Sequence, residues 1–144
     1  MYLVDTNVIS AGAPAKAAVP IDLVGWMDRN SDRLFLSVIT IAEIEDGIAK
    51  VRREGGHRKA AQLAEWLETL LHLYGARILG IDLAIARVIG HLSDHARCRG
   101  QAPGFADLAI AATARSRGLV VLTRNMRHFV SIDVPAQDPF ASLP

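Results

Sequence analysis

The sequence predicts an α/β fold: a single domain over residues 1–144 built on a doubly wound parallel sheet covered by helices on both faces. Three observations carry that prediction. Short apolar runs alternate along the chain with stretches of helical periodicity, the pattern of repeated strand–helix units. The strand candidates lack polar alternation, most clearly Leu119-Val120-Val121-Leu122, as expected of strands buried on both faces. With 144 residues, 51% of them hydrophobic, the chain can bury a full core without disulfides.

The elements follow in order. Tyr2–Asp5 reads as a first strand ending in a carboxylate, and Ala11–Pro20, rich in Ala, Gly and Pro, as a loop. Ile21–Arg29 is an amphipathic helix, and Leu34–Ser37 a second strand. Ile41, Ile44, Ile48 and Val51 recur at helical spacing up to Gly55-Gly56. Leu63, Leu67, Leu70, Leu71 and Tyr74 mark the next helix, stopped at Gly75. Arg77–Ile81 is a third strand candidate, followed by a helix from Asp82 to about Arg99. A further helix spans about Gly104 to Arg117, with Gly118 as its terminating glycine. Leu119–Thr123 is the last strand. In such sheets ligands sit at the carboxyl ends of the strands, where the strand order reverses.

Composition narrows the functional classes. Sixteen Lys and Arg against fifteen Asp and Glu give a net charge of +1, so bulk charge alone argues for no nucleic-acid partner. The single cysteine, Cys98, cannot form an internal disulfide and suits a reducing compartment. No basic leader or cleavage site opens the sequence, and no apolar run approaches the roughly 20 residues of a membrane span. A cytoplasmic protein without membrane contact is the expectation.

Seven carboxylates lie among other charges, as solvated surfaces require: Asp28, Asp32, Glu45, Asp46, Glu54, Glu65 and Glu68. Four stand in apolar company. Asp5, at the end of the first strand, reads equally as a helix N-cap and as a functional acid. Thr40-Ile41-Ala42-Glu43 has the spacing of a capping box, which accounts for Glu43 without any function. Asp82 is explained as an N-cap. Asp107 resists such an explanation, because Phe105, Leu108, Ala109 and Ala112 form one apolar face and Ile110, Ala111 and Ala114 another. A helix apolar on both sides is buried, and an acid in its first turn calls for a cation or a strong donor. Acids at the end of strand one and near the starts of an early and a late helix can converge at one sheet edge. Such a group suits a hard divalent cation that uses few carboxylates and completes its shell with water and phosphate.

These residues resemble those of PIN-domain proteins. Asp5-Thr6-Asn7, then Ser37-x-x-Thr40-x-x-Glu43 with Gly47, then Ala106-Asp107-x-x-Ile110-Ala111-Ala112-Thr113-Ala114, then Leu122-Thr123-Arg124-Asn125-x-x-His128-Phe129 stand in that family's order. Each block is weak alone; the ordered set is specific and spans nearly the whole chain. The likeness is strongest to the VapC and FitB-like toxins. It implies a PIN-like fold and a Mg2+- or Mn2+-dependent endoribonuclease acting as the toxin of a toxin–antitoxin pair. It marks Asp5, Glu43 and Asp107 as metal-binding acids, Asn125 as the occupant of a fourth catalytic position, and Thr6, Asn7 and Thr123 as supporting groups. Many relatives carry Asp where this chain has Asn125, and an amide brings no charge to a second metal. Implied partners are an RNA substrate, a small cognate antitoxin whose C-terminal segment enters the active-site groove, and a second copy in a homodimer. The helix Leu63–Tyr74, with Trp66 beside its stripe, serves equally as an interface or as ordinary core packing.

Among the basic residues, Arg124 and Arg127 flank Asn125 and are the candidates for phosphate contact. Lys50, Arg52, Arg53, Arg58 and Lys59 read as a solvated corner. His91 and His95 have the i, i+4 spacing of a zinc pair but lack the glutamate of a zinc-protease motif. A catalytically silent PIN-like module that binds RNA or protein is the alternative reading. No motif encodes which RNA is recognised.

Overall fold

Every strand pairs in parallel, and the order in which the strands line up creates the site. The computed structural model describes residues 1–14 and 19–144. Strand β1 (Tyr2–Val4) is central. On one side lie β2 (Leu34–Ser37) and β3 (Ile78–Leu79), on the other β4 (Val120–Leu122) and β5 (Ala136–Gln137). The order β3-β2-β1-β4-β5 is that of a doubly wound sheet, in which the chain reverses direction across the sheet between β1 and β4. Val4 sits beside Leu122 in this register. The next residues, Asp5 and Thr123, therefore emerge side by side at the carboxyl edge.

Alternate side chains of the central strands enter opposite layers. Leu3 and Val121 pack with Ile85, Ile89, Leu92 and Phe129, beneath α5 (Leu83–Cys98), α6 (Phe105–Arg117) and α7 (Met126–Val130). Val4 and Leu122 pack with Leu23, Ile44, Ile48 and Leu67, beneath α1 (Thr6–Ile9), α2 (Ile21–Arg29), α3 (Val38–Arg53) and α4 (His57–Tyr74). Both faces being covered, strand sequences are continuously apolar. Helix α3 follows directly on the end of β2, and α6 leads back to the start of the parallel strand β4, so both begin at the edge where Asp5 emerges. Among the described residues no helix is long and apolar enough to cross a membrane.

Several elements depart from the sequence expectation. Helix α3 starts at Val38, directly after β2, because Ser37 adopts the extended cap conformation (φ −95°, ψ 149°) and its Oγ accepts from Ile39 N–H at 3.1 Å. Thr40 therefore lies inside the helix, fully buried, and the capping box that accounted for Glu43 does not form. The cap assigned to Asp82 does form, its Oδ1 accepting from Ile85 N–H at 2.8 Å. Phe105, expected in an apolar face, is 66% exposed at the first position of α6, whereas Leu108–Ala114 are all buried. The third strand shrinks to two residues, and the edge strand β5 and helix α7 carry no periodicity long enough to announce them. Part of the Ala11–Pro20 loop, residues 15–18, lies outside the described residues.

Gly118 ends α6 in the left-handed conformation (φ 63°, ψ 36°), and Leu119 N–H reaches back to Ala114 O at 2.9 Å. A Cβ at this position would meet nothing within 4 Å, so its cost is purely that of the backbone conformation. Gly118→Ala is expected to destabilise the fold by about 1 kcal/mol. A lower urea midpoint with unchanged slope in equilibrium unfolding is the expected result.

Candidate active site

Asp5 is the anchor of the site. It leaves β1 with only 4% of its surface exposed, and three donors hold its carboxylate. Oδ1 accepts from Thr6 N–H at 2.7 Å, while Oδ2 accepts from Asn7 Nδ2 and from the Thr123 hydroxyl, both at 2.7 Å. The side chain thus binds the first amide of α1 instead of the second or third that an N-cap carboxylate takes. The Asp5 backbone carbonyl accepts from Val8 and Ile9.

The loop after β4 is tied to the same group. Thr123 Oγ1 also accepts from Asn7 Nδ2 (3.1 Å) and from Asn125 N–H (3.0 Å), and Asn7 Oδ1 accepts from Arg124 N–H (3.0 Å). Asn7 and Thr123 therefore stitch together the two strand ends at the point of topological reversal. The Asn125 side chain is exposed and makes no capping bond to α7, leaving its amide available to solvent at this edge.

Glu43 and Asp107 come from opposite layers. Glu43, exposed on α3, accepts a hydrogen bond from the Thr6 hydroxyl. Asp107, in the first turn of α6, is hydrogen-bonded through Oδ2 to His128 Nδ1 at 2.9 Å. Burial pushes the Asp5 pKa above the ordinary 3.8, with the Glu43 and Asp107 charges adding to that rise. The bonds from Thr123 and Thr6 oppose it without reversing it. Both acids are thus near enough to Asp5 for their charges to act on it.

Such a set, all oxygen and acidic, has the chemistry of a hard-cation site. Among the described residues no three His, Cys, Asp or Glu side chains close around one point, Glu43 being turned to Thr6 and Asp107 to His128. Side chains held apart in this way form no closed all-protein cage. Among the described residues one buried hydroxyl also lacks a partner: Thr40 Oγ1, one helical turn before Glu43 on α3.

His128 stands in the last of the family-like blocks, but the sequence alone assigns it no role. The available signal is its place three residues after Asn125, beside an aromatic; its partner 21 residues earlier cannot be inferred from spacing. Of the proposed phosphate-binding pair, both are exposed, but the Arg124 guanidinium stacks 4.6 Å over the Phe140 ring and is held against the C-terminal segment. A groove of about 230 Å3 runs from Thr6 and Glu43 past Gly47 and Lys59 to Leu63 and Trp66. A separate apolar cleft of about 210 Å3, lined by Val24, Met27, Leu70 and Tyr74 among others, contains none of these acids. His91 and His95 are exposed on α5 beside Arg115 and Asp133, away from this set.

Known proteins share both chain and fold. The model of the PIN domain family matches residues 2–134. Toxin FitB of Neisseria gonorrhoeae is 33% identical over 97% of this chain and 99% of its own. The crystal structure of FitAcB from that organism superposes with a TM-score of 0.84 at 34% identity, covering 97% of this chain and 99% of that one. VapC ribonuclease Y4jK of Sinorhizobium fredii is 32% identical over 97% of this chain and 98% of its own. A DNA-bound VapBC from Salmonella typhimurium has a TM-score of 0.81 at 26% identity, over 95% and 96% of the two chains.

Proposed function

The chain belongs to the PIN-domain family, and from that premise we propose that it is a metal-dependent endoribonuclease, the toxin of a toxin–antitoxin pair. The observation carrying this reading is the pressure of two carboxylates, from helices in opposite layers, on a buried Asp5 that has no cationic partner among its hydrogen bonds. Asp5, Glu43 and Asp107 would hold Mg2+ or Mn2+. The bound ion supplies Lewis-acid polarisation of a phosphodiester and a more acidic water.

The residues themselves have distinct tasks. Asp5, held by three donors, is the rigid ligand. Thr6, Asn7 and Thr123 orient it and join the β1 and β4 ends. Glu43, with the Thr6 hydroxyl as its hydrogen-bond partner, can turn towards an arriving cation, while Asp107 offers the oxygen that its bond to His128 leaves free. Arg127, exposed on α7, is the better placed of the two arginines for the RNA backbone, since Arg124 is engaged by Phe140. In the cytoplasm the groove beside Glu43, with Trp66 on its wall, would receive the antitoxin's C-terminal segment, and the toxin would act as a homodimer. Solved relatives described as FitAcB and as DNA-bound VapBC support a partnered assembly.

Purified chain incubated with RNA and Mg2+ or Mn2+ should produce internal cuts that chelation abolishes. RNA bound but uncut under all metal conditions would move the reading to a silent binding module. Asn125 gives a second test. An amide in the fourth position lowers the charge of the ligand set by one, so the free chain is expected to hold at most one metal tightly. Asn125→Asp should raise the number or affinity of Mn2+ ions in calorimetric titration without RNA. Coincident isotherms would remove Asn125 from the metal site.

A further inference from the structure

The geometry points to His128 as a positioning residue that holds the Asp107 carboxylate for the cation. This rests on the metal reading proposed above. Its basis is a built contact between two elements: Nδ1 of His128, on α7, lies 2.9 Å from Oδ2 of Asp107, on α6. A carboxylate oxygen accepts, so Nδ1 is the donor.

Neither end of this contact is loose. Phe129, the residue after His128, is fully buried in the layer shared with α6. His128 N–H bonds to Asn125 O at 2.9 Å, and its carbonyl accepts from Ser131 Oγ at 2.7 Å. The imidazole therefore projects from a short helix pinned on both sides. On the acid side, Asp107 stands in the first turn of α6, and the residues that follow it, Leu108–Ala114, are all buried. With Oδ2 held by His128, Oδ1 is the oxygen left for a metal. Groups that hold a ligand by its second oxygen fix its orientation, and losing them typically weakens metal binding by about 10- to 100-fold. The imidazole side chain is itself 36% exposed, so the contact contributes little to folding.

An amide can replace one ring nitrogen at a time. The amide nitrogen of Asn falls near the position of Nδ1, whereas that of Gln falls near Nε2. Manganese titration by calorimetry, with thermal melts of the metal-free proteins and RNA cleavage alongside, should compare wild type with His128→Ala, His128→Asn and His128→Gln. The expected result is melting alike in all four, Mn2+ affinity about 10- to 100-fold weaker in the Ala and Gln variants, and near wild-type affinity in the Asn variant. Cleavage should follow the same order. Equal Mn2+ affinity in wild type and His128→Ala, or rescue by Gln as good as by Asn, overturns the positioning role alone. A wild-type chain that takes up no manganese overturns the metal reading of the site, and this role with it.

Discussion

Asp5→Asn is expected to lower RNA cleavage by at least about 10^2- to 10^3-fold, the scale of removing one group that stabilises transition-state charge, while the fold persists. Asp5 receives hydrogen bonds from Thr6, Asn7 and Thr123 and feels the charges of Glu43 and Asp107. Its folded pKa lies above 3.8, mainly through burial. Below the unfolded value the group is protonated in both states. Between the two values the folded chain keeps a proton that the unfolded chain has lost, so stability falls as pH rises. Above the folded value the metal-free wild type carries the whole penalty, which the Asn variant lacks. Part of that gain is cancelled because the new NH2 group faces two former donors, Asn7 Nδ2 and the Thr123 hydroxyl. At neutral pH without metal the variant should melt at or slightly above the wild-type temperature, and the difference should narrow towards acid pH. Cleavage at the wild-type rate would take Asp5 out of the mechanism.

Expression of the chain alone in bacteria should arrest growth, and Asp107→Ala should abolish the arrest. Asp107 reaches the site because α6 begins at the carboxyl edge of the sheet, and its side chain is 21% exposed. The substitution removes the His128 bond and an acid in the first turn of α6, which benefits from the helix dipole by about 0.3–1 kcal/mol. The buried run Leu108–Ala114 is untouched, so the variant should accumulate as folded, soluble protein. Equal growth with both proteins at matched soluble levels would favour a binding module without turnover.

Much of this protein is legible in the local chemistry of its chain. Apolar runs such as Leu119–Leu122 announce a doubly covered sheet, Gly75 and Gly118 the ends of two helices, and the double apolar face of α6 isolates Asp107. The resemblance to PIN domains singles out Asp5, Glu43 and Asp107, and the β1–β4 reversal brings the first beside Thr123. Other features depend on partners distant in the chain. Glu43 fits a capping box by spacing, and only the seating of α3 directly on the end of β2 makes Ser37 the cap and frees Glu43. Asp107 and His128, like Asn7 and Thr123, are joined across elements whose approach is set by packing of the two apolar layers. Strand β5 exists because β4 offers it an edge, and Arg124 is drawn to Phe140 by a ring that the C-terminal segment brings back to the site. Periodicity and caps act within a few residues and are written into them; the direction of a polar side chain at a sheet edge is settled by whichever donor the finished fold delivers.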